Sequence, residues 1–363
     1  MTVTAAFIGT WRTILTSKTL LSTMLLAVVL YAFYYPAPYA QEAAQKLPVV
    51  VVDQENSALS RALILELDAT RAVRVVDVVP NVEDARSVMQ SGTADGVVLV
   101  AGGLERQLLV GAPGAGVAVW VNATYLLRAS TIGDAVTSVL QSLAARRLAP
   151  GTQASRAGLP VRIVTEPLFN RSGGYKGYVF PAVAVIIVQQ TLLFGAATFM
   201  AGRRRTGTWR MKGSEYIGSL AAFATVGTLG CLFLFGLIFW VQEVPVNMNT
   251  AGMIAIVPIF SMAVAALGLL AGSFFDVSER AMVILPPTSV PCFFLSGAAW
   301  PLEQMPWFVS TIAHLIPSTA GVHTFVPLNQ MNASIGDVAA AVATLALLAV
   351  GYGLLAGWRL IKF

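Results

Sequence analysis

Six long apolar runs constrain this chain more than any other feature. They lie at roughly 19–35, 178–201, 216–241, 251–275, 282–300 and 337–358. A run of about 20 apolar residues is long enough to cross the hydrocarbon core of a bilayer as a helix. Only 11% of the residues are charged, whereas about 25% is usual in soluble domains. The sequence therefore predicts an α-helical polytopic membrane protein with six transmembrane helices.

The first apolar run has two interpretations. A signal peptide would use Arg12 and Lys18 as its charged region, but the run is long for a signal core and lacks an A-x-A-like cleavage site. We favour an uncleaved membrane anchor. Ahead of it, one apolar stripe at helical spacing predicts a short amphipathic helix on the inner leaflet, or simply the start of the first span. The stripe consists of Phe7, Trp11, Ile14 and Leu15, within a first region of residues 1–39.

Residues 40–175 have a different character. Strand-like runs alternate with helix-like segments, which predicts an inserted α/β domain large enough to bury its own core. The strands are LPVVVVD, VRVVDVV, DGVVLVA and GVAVWVNA, and the helices are NSALSRALILELDA, NVEDARSVMQSG and residues 126–149. Asn56 or Ser57 suits the N-cap of the first of these helices. This block contains 12 acidic and 12 basic residues, so the net charge of +5 comes from the rest of the chain.

Basic residues predict the orientation of the spans. The loop GRRRTGTWRMKG at 202–213 contains five basic residues, which is typical of a cytoplasmic loop. If the spans alternate, both termini lie in the cytoplasm and the α/β domain is extracytoplasmic. The other basic residues on the cytoplasmic side are then Arg12, Lys18, Arg280, Arg359 and Lys362, against Lys176 alone outside. Membrane topology explains a basic excess at membrane edges, so we do not expect nucleic-acid binding.

The motifs of an enzyme or of an autonomous pump are missing from the sequence. No G-x-x-x-x-G-K-[ST] occurs, and GAPGAGVA at 111–118 has no following lysine, so a turn between strands is favoured. Spans two to six carry no charged residue at their centres, and His314 and His323 are better explained as structural residues than as a proton relay. Cys231 and Cys292 lie in apolar runs without a metal-ligand spacing. We expect no catalytic residue, no metal site and no directly bound cofactor.

Gln189 and Gln190 form the most polar pair within span two. They either line a path through the membrane or hydrogen-bond a neighbouring helix. In the basic loop, Trp209 and Met211 add apolar side chains that could contact a cytoplasmic partner, and membrane anchoring alone is the alternative.

Four stretches together are similar to the membrane subunits of ABC type-2 exporters that carry a large extracytoplasmic domain after the first helix. They are VVVVDQENSALSRALILEL, EPLFNRSGGYKGYVFPAV, RRRTGTWRMKG and FLSGAAWPLEQMPWFVSTIAHLIPST, which occur in the family's order over essentially the whole chain. Asn170, Pro181, Gly207 and Thr208 match the family motifs. The departures are Arg171 for proline, Ala182 for glycine, and Arg204 and Arg210 where the family has acidic residues.

The resemblance implies a permease that dimerises, as a homo- or heterodimer, and binds cytoplasmic ABC ATPase subunits, where ATP and Mg would bind. Residues 5–17 would form the connecting helix, and the loop 202–215 would carry the coupling helix. The resemblance also implies export of an amphipathic substrate (drug, lipid or similar) across the bacterial inner membrane, among membrane lipids, and leaves open whether a periplasmic adaptor docks. The ATPase-coupling residues would be Arg205, Gly207, Thr208, Trp209, Arg210 and Met211.

The stretch from 292 to 319 is apolar and yet broken by prolines. Irregular backbone at membrane depth is tolerated only where protein or water satisfies it, and proline suits the first turn of a helix. We therefore expect residues 301–330 to form a re-entrant helical hairpin that caps the exit between protomers, within a last region of residues 176–363. The predicted translocation path and gate consist of Phe180, Gln189, Gln190, Phe293, Phe294, Ser296, Pro301 and Pro306.

Two other functions compete with this one. The first is a non-transporting envelope assembly or sensor protein whose outer domain binds a ligand or partner, although six spans with proline-broken segments are more than tethering requires. The second is an ATP-independent secondary transporter, which the missing intramembrane charges disfavour. Association of the chain with an ABC ATPase would distinguish the exporter from both of these alternatives.

Overall fold

The structure is a computed structural model, and the chain in it divides into two compact units. One unit contains Met1–Ala40 and Pro167–Phe363, and the other contains Gln41–Glu166. The structure describes residues 2–39, 45–90, 93–106, 116–121, 126–147, 175–246 and 248–362. Residues 111–115 of the glycine-rich stretch and the motif residues Asn170 and Arg171 lie outside the described residues.

The described helices and strands are numbered here in chain order. The helices are α1 (Val3–Thr16), α2 (Lys18–Tyr34), α3 (Ala58–Ala69), α4 (Val82–Gln90), α5 (Leu126–Arg147), α6 (Tyr175–Arg205), α7 (Gly213–Val241), α8 (Thr250–Gly272), α9 (Ser278–Ile284), α10 (Ser289–Leu295), α11 (Trp307–His314), α12 (Pro317–Gln330) and α13 (Ala339–Leu360). The strands are β1 (Leu47–Asp53), β2 (Val73–Val79), β3 (Gly96–Val100) and β4 (Val117–Val121).

The unit Gln41–Glu166 is built on a four-stranded sheet of order β2-β1-β3-β4. Strand β1 pairs in parallel with β2 and β3, and β4 pairs antiparallel with β3. The valines of β1 are buried on both faces, which explains its unbroken apolar run. Val49 and Val51 pack in the cluster that contains residues of α3 and α5, and Val50 and Val52 pack in the cluster that contains Ala85 of α4.

The turn between β1 and α3 contains the residue that caps α3. Ser57 is the N-cap, because its Oγ accepts from the backbone N–H of Leu59 and Ser60 (both 3.2 Å). The N–H of Ser57 in turn donates to Ser60 Oγ (3.0 Å), which completes a capping box. Asn56 adopts a φ of +46° and carries the chain around the turn instead.

The other unit contains the apolar helices. Among the described residues, α6, α7, α8 and α13 are each long and apolar enough to cross a membrane. Helices α1 and α2 form a pair bent by 84° at Ser17. The predicted amphipathic helix and first span are therefore two separate helices, and the pair counts as a fifth span if it is taken as one.

The predicted fifth span at 282–300 is not a continuous helix. It consists of the seven-residue helices α9 and α10, which are separated by a 3-10 turn over Pro286–Thr288. Proline lacks the N–H that an α-helix interior needs, so Pro286 and Pro287 interrupt the helix. The residues of the expected helical hairpin form the two helices α11 and α12. Pro301 precedes a 3-10 turn over Leu302–Gln304, Pro306 is the N-cap of α11, and Pro317 occupies the first turn of α12.

Small residues allow the long helices to approach closely. A Cβ atom added at Gly272 of α8 would lie 2.6 Å from Ala197 Cα of α6, and one at Gly268 would lie 2.7 Å from Ala196 Cβ. These distances are shorter than real contacts, so only glycine fits. Close packing through small residues is typical of helices that associate in membranes.

Candidate functional site

The basic loop begins where α6 ends, in a backbone turn that needs glycine. The N–H of Gly207 donates to Arg204 O (3.0 Å), and the N–H of Thr208 donates to Arg203 O (2.8 Å). This pair of bonds is the Schellman arrangement, which places a left-handed residue after the helix, and Gly207 has a φ of +72°. The turn therefore fixes the direction in which the loop leaves α6.

Trp209 is partly buried and is surrounded by guanidinium groups. The Cζ atoms of Arg204, Arg210 and Arg359 lie 5.5, 5.2 and 5.8 Å from the centroid of its ring. Each such cation–π contact contributes about 0.5–1 kcal/mol at an exposed site. Arg359, which lies in α13, also covers the ring of Phe274 at 4.0 Å. The indole therefore joins the loop to the C-terminal end of α13.

Met211 pairs with the residue that follows α13. Its N–H donates to Leu360 O (2.9 Å), and the N–H of Lys362 donates to Met211 O (3.0 Å), so that Met211 and Ile361 form a parallel bridge. The side chain of Met211 is 1% exposed and belongs to the apolar core. The interpretation of Met211 as an apolar side chain available to a partner is therefore wrong for this conformation.

The expected coupling helix is also absent from the described structure of this loop. Residues 202–205 are the last turn of α6, residues 206–212 are not helical, and α7 begins at Gly213. The glycine turn and the pairing of Met211 with Ile361 hold these seven residues in a non-helical connection instead. The residues of the loop with exposed side chains are Thr206, Thr208, Arg210 and Lys212, next to Arg205.

Two arginines converge on the C-terminal end of α8. Arg359 Nε donates to Ser273 Oγ (2.6 Å), and Arg204 donates to Ser273 O. Ser273 is the C-cap of α8, where unpaired carbonyl groups and the helix dipole favour positive charge. The ends of α6, α8 and α13 are thus joined through one serine.

Ion pairs neutralise four of the arginines around the loop. They join Arg203 to Glu215 (2.7 Å), Arg204 to Asp276 (3.9 Å), Arg205 to Glu279 (3.8 Å) and Arg280 to Asp276 (2.5 Å). Exposed pairs of this kind contribute about 0–1 kcal/mol each, so their main effect is on the local charge.

A second polar site lies inside the helical unit, where α6 meets α12. Gln189 is 1% exposed, and its Oε1 accepts from the N–H of Ser318 (2.5 Å) at the start of α12. Gln190 is 4% exposed, and its Nε2 donates to Thr288 Oγ1 (3.3 Å), between α9 and α10. We call these four residues the polar junction. Gln190 Oε1 and Ser318 Oγ are buried without a hydrogen-bond partner among the described residues.

The structure brings only some of the predicted path and gate residues to this junction. Ser296 is buried, and the preceding residue links it to the start of α12, since Leu295 O accepts from Thr319 Oγ1 (3.1 Å). Phe293 packs on the core, whereas Phe294 is 54% exposed. Pro301 and Pro306 lie on the exposed surface.

Phe180 lies in a different environment. Its ring is 1% exposed and packs 5.4 Å from that of Phe239, in a series of aromatic rings. The series continues through Phe235, Phe325 and Phe260 at centroid distances of 5.6, 5.3 and 5.4 Å. Phe180 precedes Gln189 by nine residues, about 13 Å along a helix. In this conformation Phe180 is a core residue.

Sequence reasoning missed several members of both sites. Arg359 and Ile361 complete the loop, while Thr288 and Ser318 complete the polar junction. Arg359 carries a partial signal, because a cation at a helix C-terminus is common. Nothing in the local sequence links Met211 to Ile361, because that contact depends on how the helices pack.

The comparison with known proteins identifies the class. The chain belongs to the ABC-2 family: the profile of the ABC-2 family transporter proteins matches residues 18–358. The members of this family are membrane transport subunits that lack a nucleotide-binding domain of their own.

Two relatives have the same name. The chain is 20% identical over 166 residues to the probable multidrug ABC transporter permease YbhR of Escherichia coli strain K12, and to that of Escherichia coli O157:H7. Each match covers 43% of this chain and 44% of the relative, so the chain matches less than half the length of these relatives.

Proposed function

We propose that this chain is the membrane-spanning permease subunit of an ATP-driven ABC exporter that moves an amphipathic substrate outward across the bacterial inner membrane. The observation that carries the proposal is the family match over residues 18–358. The absence of a nucleotide-binding motif from the sequence supports a separate ATPase subunit, at which ATP and Mg would bind. The similarity to a probable multidrug ABC transporter permease supports a drug-like substrate.

In this proposal the basic loop is the contact with the cytoplasmic ATPase, and its exposed residues Arg205, Thr208 and Arg210 touch that partner directly. Gly207, Trp209 and Met211 act by holding the loop in position. The polar junction lies on the translocation path, where its unpaired polar atoms would meet polar groups of the substrate or water. Gln189 would then link movement of α6 to the hairpin of α11 and α12, the proposed outer gate.

The proposal also includes a second permease protomer, which is either identical or different. Large apolar side chains are exposed on α9, α10 and α11, and they need a cover of lipid or protein. Val283, Val290, Phe294 and Trp307 are 72%, 62%, 54% and 81% exposed. The unit Gln41–Glu166 is proposed to be periplasmic, with both termini in the cytoplasm, because the basic residues favour that topology.

The test is to purify the tagged chain from its native membrane under mild detergent. We expect an ABC ATPase to co-purify and its ATP hydrolysis to rise when an amphiphile is added. A chain that never associates with an ABC ATPase would contradict the proposal and favour the assembly or sensor function.

A further inference from the structure

The residues after α13 contribute to the surface of the basic loop. The two backbone hydrogen bonds between Met211 and the segment Leu360–Lys362 (2.9 and 3.0 Å) align residues 150 positions apart in the chain. Alternate side chains of an extended segment point to opposite sides. Met211 is buried and Ile361 is partly buried, so both face the core. Their neighbours Arg210, Lys212 and Lys362 are exposed on the outer side.

These three cations differ from four neighbouring arginines. Arg203, Arg204, Arg205 and Arg280 are each within 4 Å of a carboxylate oxygen. Within the part of the chain that the structure describes, Arg210, Lys212 and Lys362 form no ion pair. We call them the three-cation surface. Among the described residues no carboxylate pairs with its charges, and it is assembled only because the loop pairs with the segment after α13.

We propose that the three-cation surface docks into an acidic groove of the ATPase subunit, so that the C-terminal residues are part of the docking site. This inference rests on the proposed function, and it adds both a new segment and the charge of the partner. Complementary charge raises the association rate and selects the right partner. A surface fixed before binding also loses less conformational entropy on docking than a mobile one.

Two features favour a protein partner over anionic lipid headgroups. Lipid headgroups need no fixed geometry, whereas this surface is held by two backbone hydrogen bonds and by the guanidinium groups around Trp209. A tryptophan that anchors a loop in the membrane interface presents its ring to the lipid, but Trp209 is packed against the protein.

The test is binding of the co-purifying ATPase subunit to the full-length permease in nanodiscs. Lys362→Gln removes one cation and keeps the backbone N–H that pairs with Met211. We expect it to weaken binding about threefold to tenfold and to reduce the salt dependence. Lys362→Arg should bind as the wild type does. Arg280→Gln, the matched control, removes a cation that Asp276 already neutralises, so we expect a change of less than about twofold.

The lipid composition separates the two sources of negative charge. If the partner is a protein groove, Lys362→Gln should weaken binding of the ATPase equally in nanodiscs of phosphatidylcholine alone. If the weakening occurs only with phosphatidylglycerol, lipid headgroups are the partner and the inference is overturned. Wild-type affinity of Lys362→Glu would also overturn it while leaving the exporter proposal intact, whereas a wild-type chain that binds no ABC ATPase would overturn both.

Discussion

A single side chain completes the N-terminus of α12. Pro317 has no N–H and Ile316 cannot accept a hydrogen bond with its side chain, so the first free donor is the N–H of Ser318. Gln189 supplies the acceptor from 129 positions earlier in the chain. Because the site is buried, the bond satisfies a group that would otherwise cost about 1–3 kcal/mol.

Replacing this glutamine should therefore be costly. We expect Gln189→Leu to lower the unfolding free energy by about 1–3 kcal/mol, since the Ser318 N–H loses its acceptor. Thermal unfolding of the purified protein in detergent measures the change. Gln190→Met is the matched control: it removes an acceptor that is already unpaired, and Thr288 keeps its bond to Leu285 O (2.6 Å). Equal destabilisation by both variants would contradict the assigned role of Gln189.

The indole of Trp209 should matter for coupling rather than for membrane insertion. We expect Trp209→Ala to release the loop from Arg204 and Arg359 and to abolish stimulation of the ATPase by substrate, with expression and detergent extraction unchanged. The control is Trp240→Ala, at the other end of α7, where the indole is 76% exposed and makes no described ring contact with a cation. Normal stimulation of the ATPase by substrate in Trp209→Ala would show that coupling does not depend on the indole ring.

At the scale of the helices, glycines on α8 determine how closely α6 can approach. We expect Gly272→Leu to force α6 and α8 apart, because even a Cβ atom there would lie 2.6 Å from Ala197 Cα. Size-exclusion chromatography and thermal unfolding should show aggregated or strongly destabilised protein. Gly351→Ala on α13 is the control, since its Cβ would meet nothing within 4 Å. A monodisperse, stable Gly272→Leu protein would refute this packing.

Element positions could be predicted wherever local chemistry decides them. The valine runs of β1 and β2 and the capping serine of α3 are local signals, and the structure has those elements where they were expected. The double proline at 286–287 is also local, yet its effect was missed because the high apolar content of 282–300 suggested a whole span. Hydropathy alone does not distinguish one long helix from two short ones.

Contacts between distant segments could not be predicted in this way. The residues of the basic loop were found from their charge, but the buried position of Met211 depends on Ile361, 150 positions later. Similarly, the two glutamines were recognised as a polar pair, while their different partners, Ser318 and Thr288, follow only from the packing of α12 and of the broken helix.

At the scale of the whole molecule, the apolar helices and the basic loop belong to one unit of a chain whose family is established. We propose that two parts of that unit have different tasks. In this proposal the loop, α13 and the residues after α13 contact the ATPase, and the polar junction and the hairpin open the path. Because α6 contains both Gln189 and Arg204, it is the element that would connect them.

Transport by the purified complex is the most direct test of ATP-driven export. The permease and its ATPase are reconstituted into liposomes, and a fluorescent amphiphile is followed after ATP and Mg are added on the side that the basic loop faces. We expect ATP-dependent movement of the amphiphile to the opposite side of the membrane, and the loss of that movement in Trp209→Ala. Equal movement with and without ATP, or movement toward the ATPase side, would contradict it.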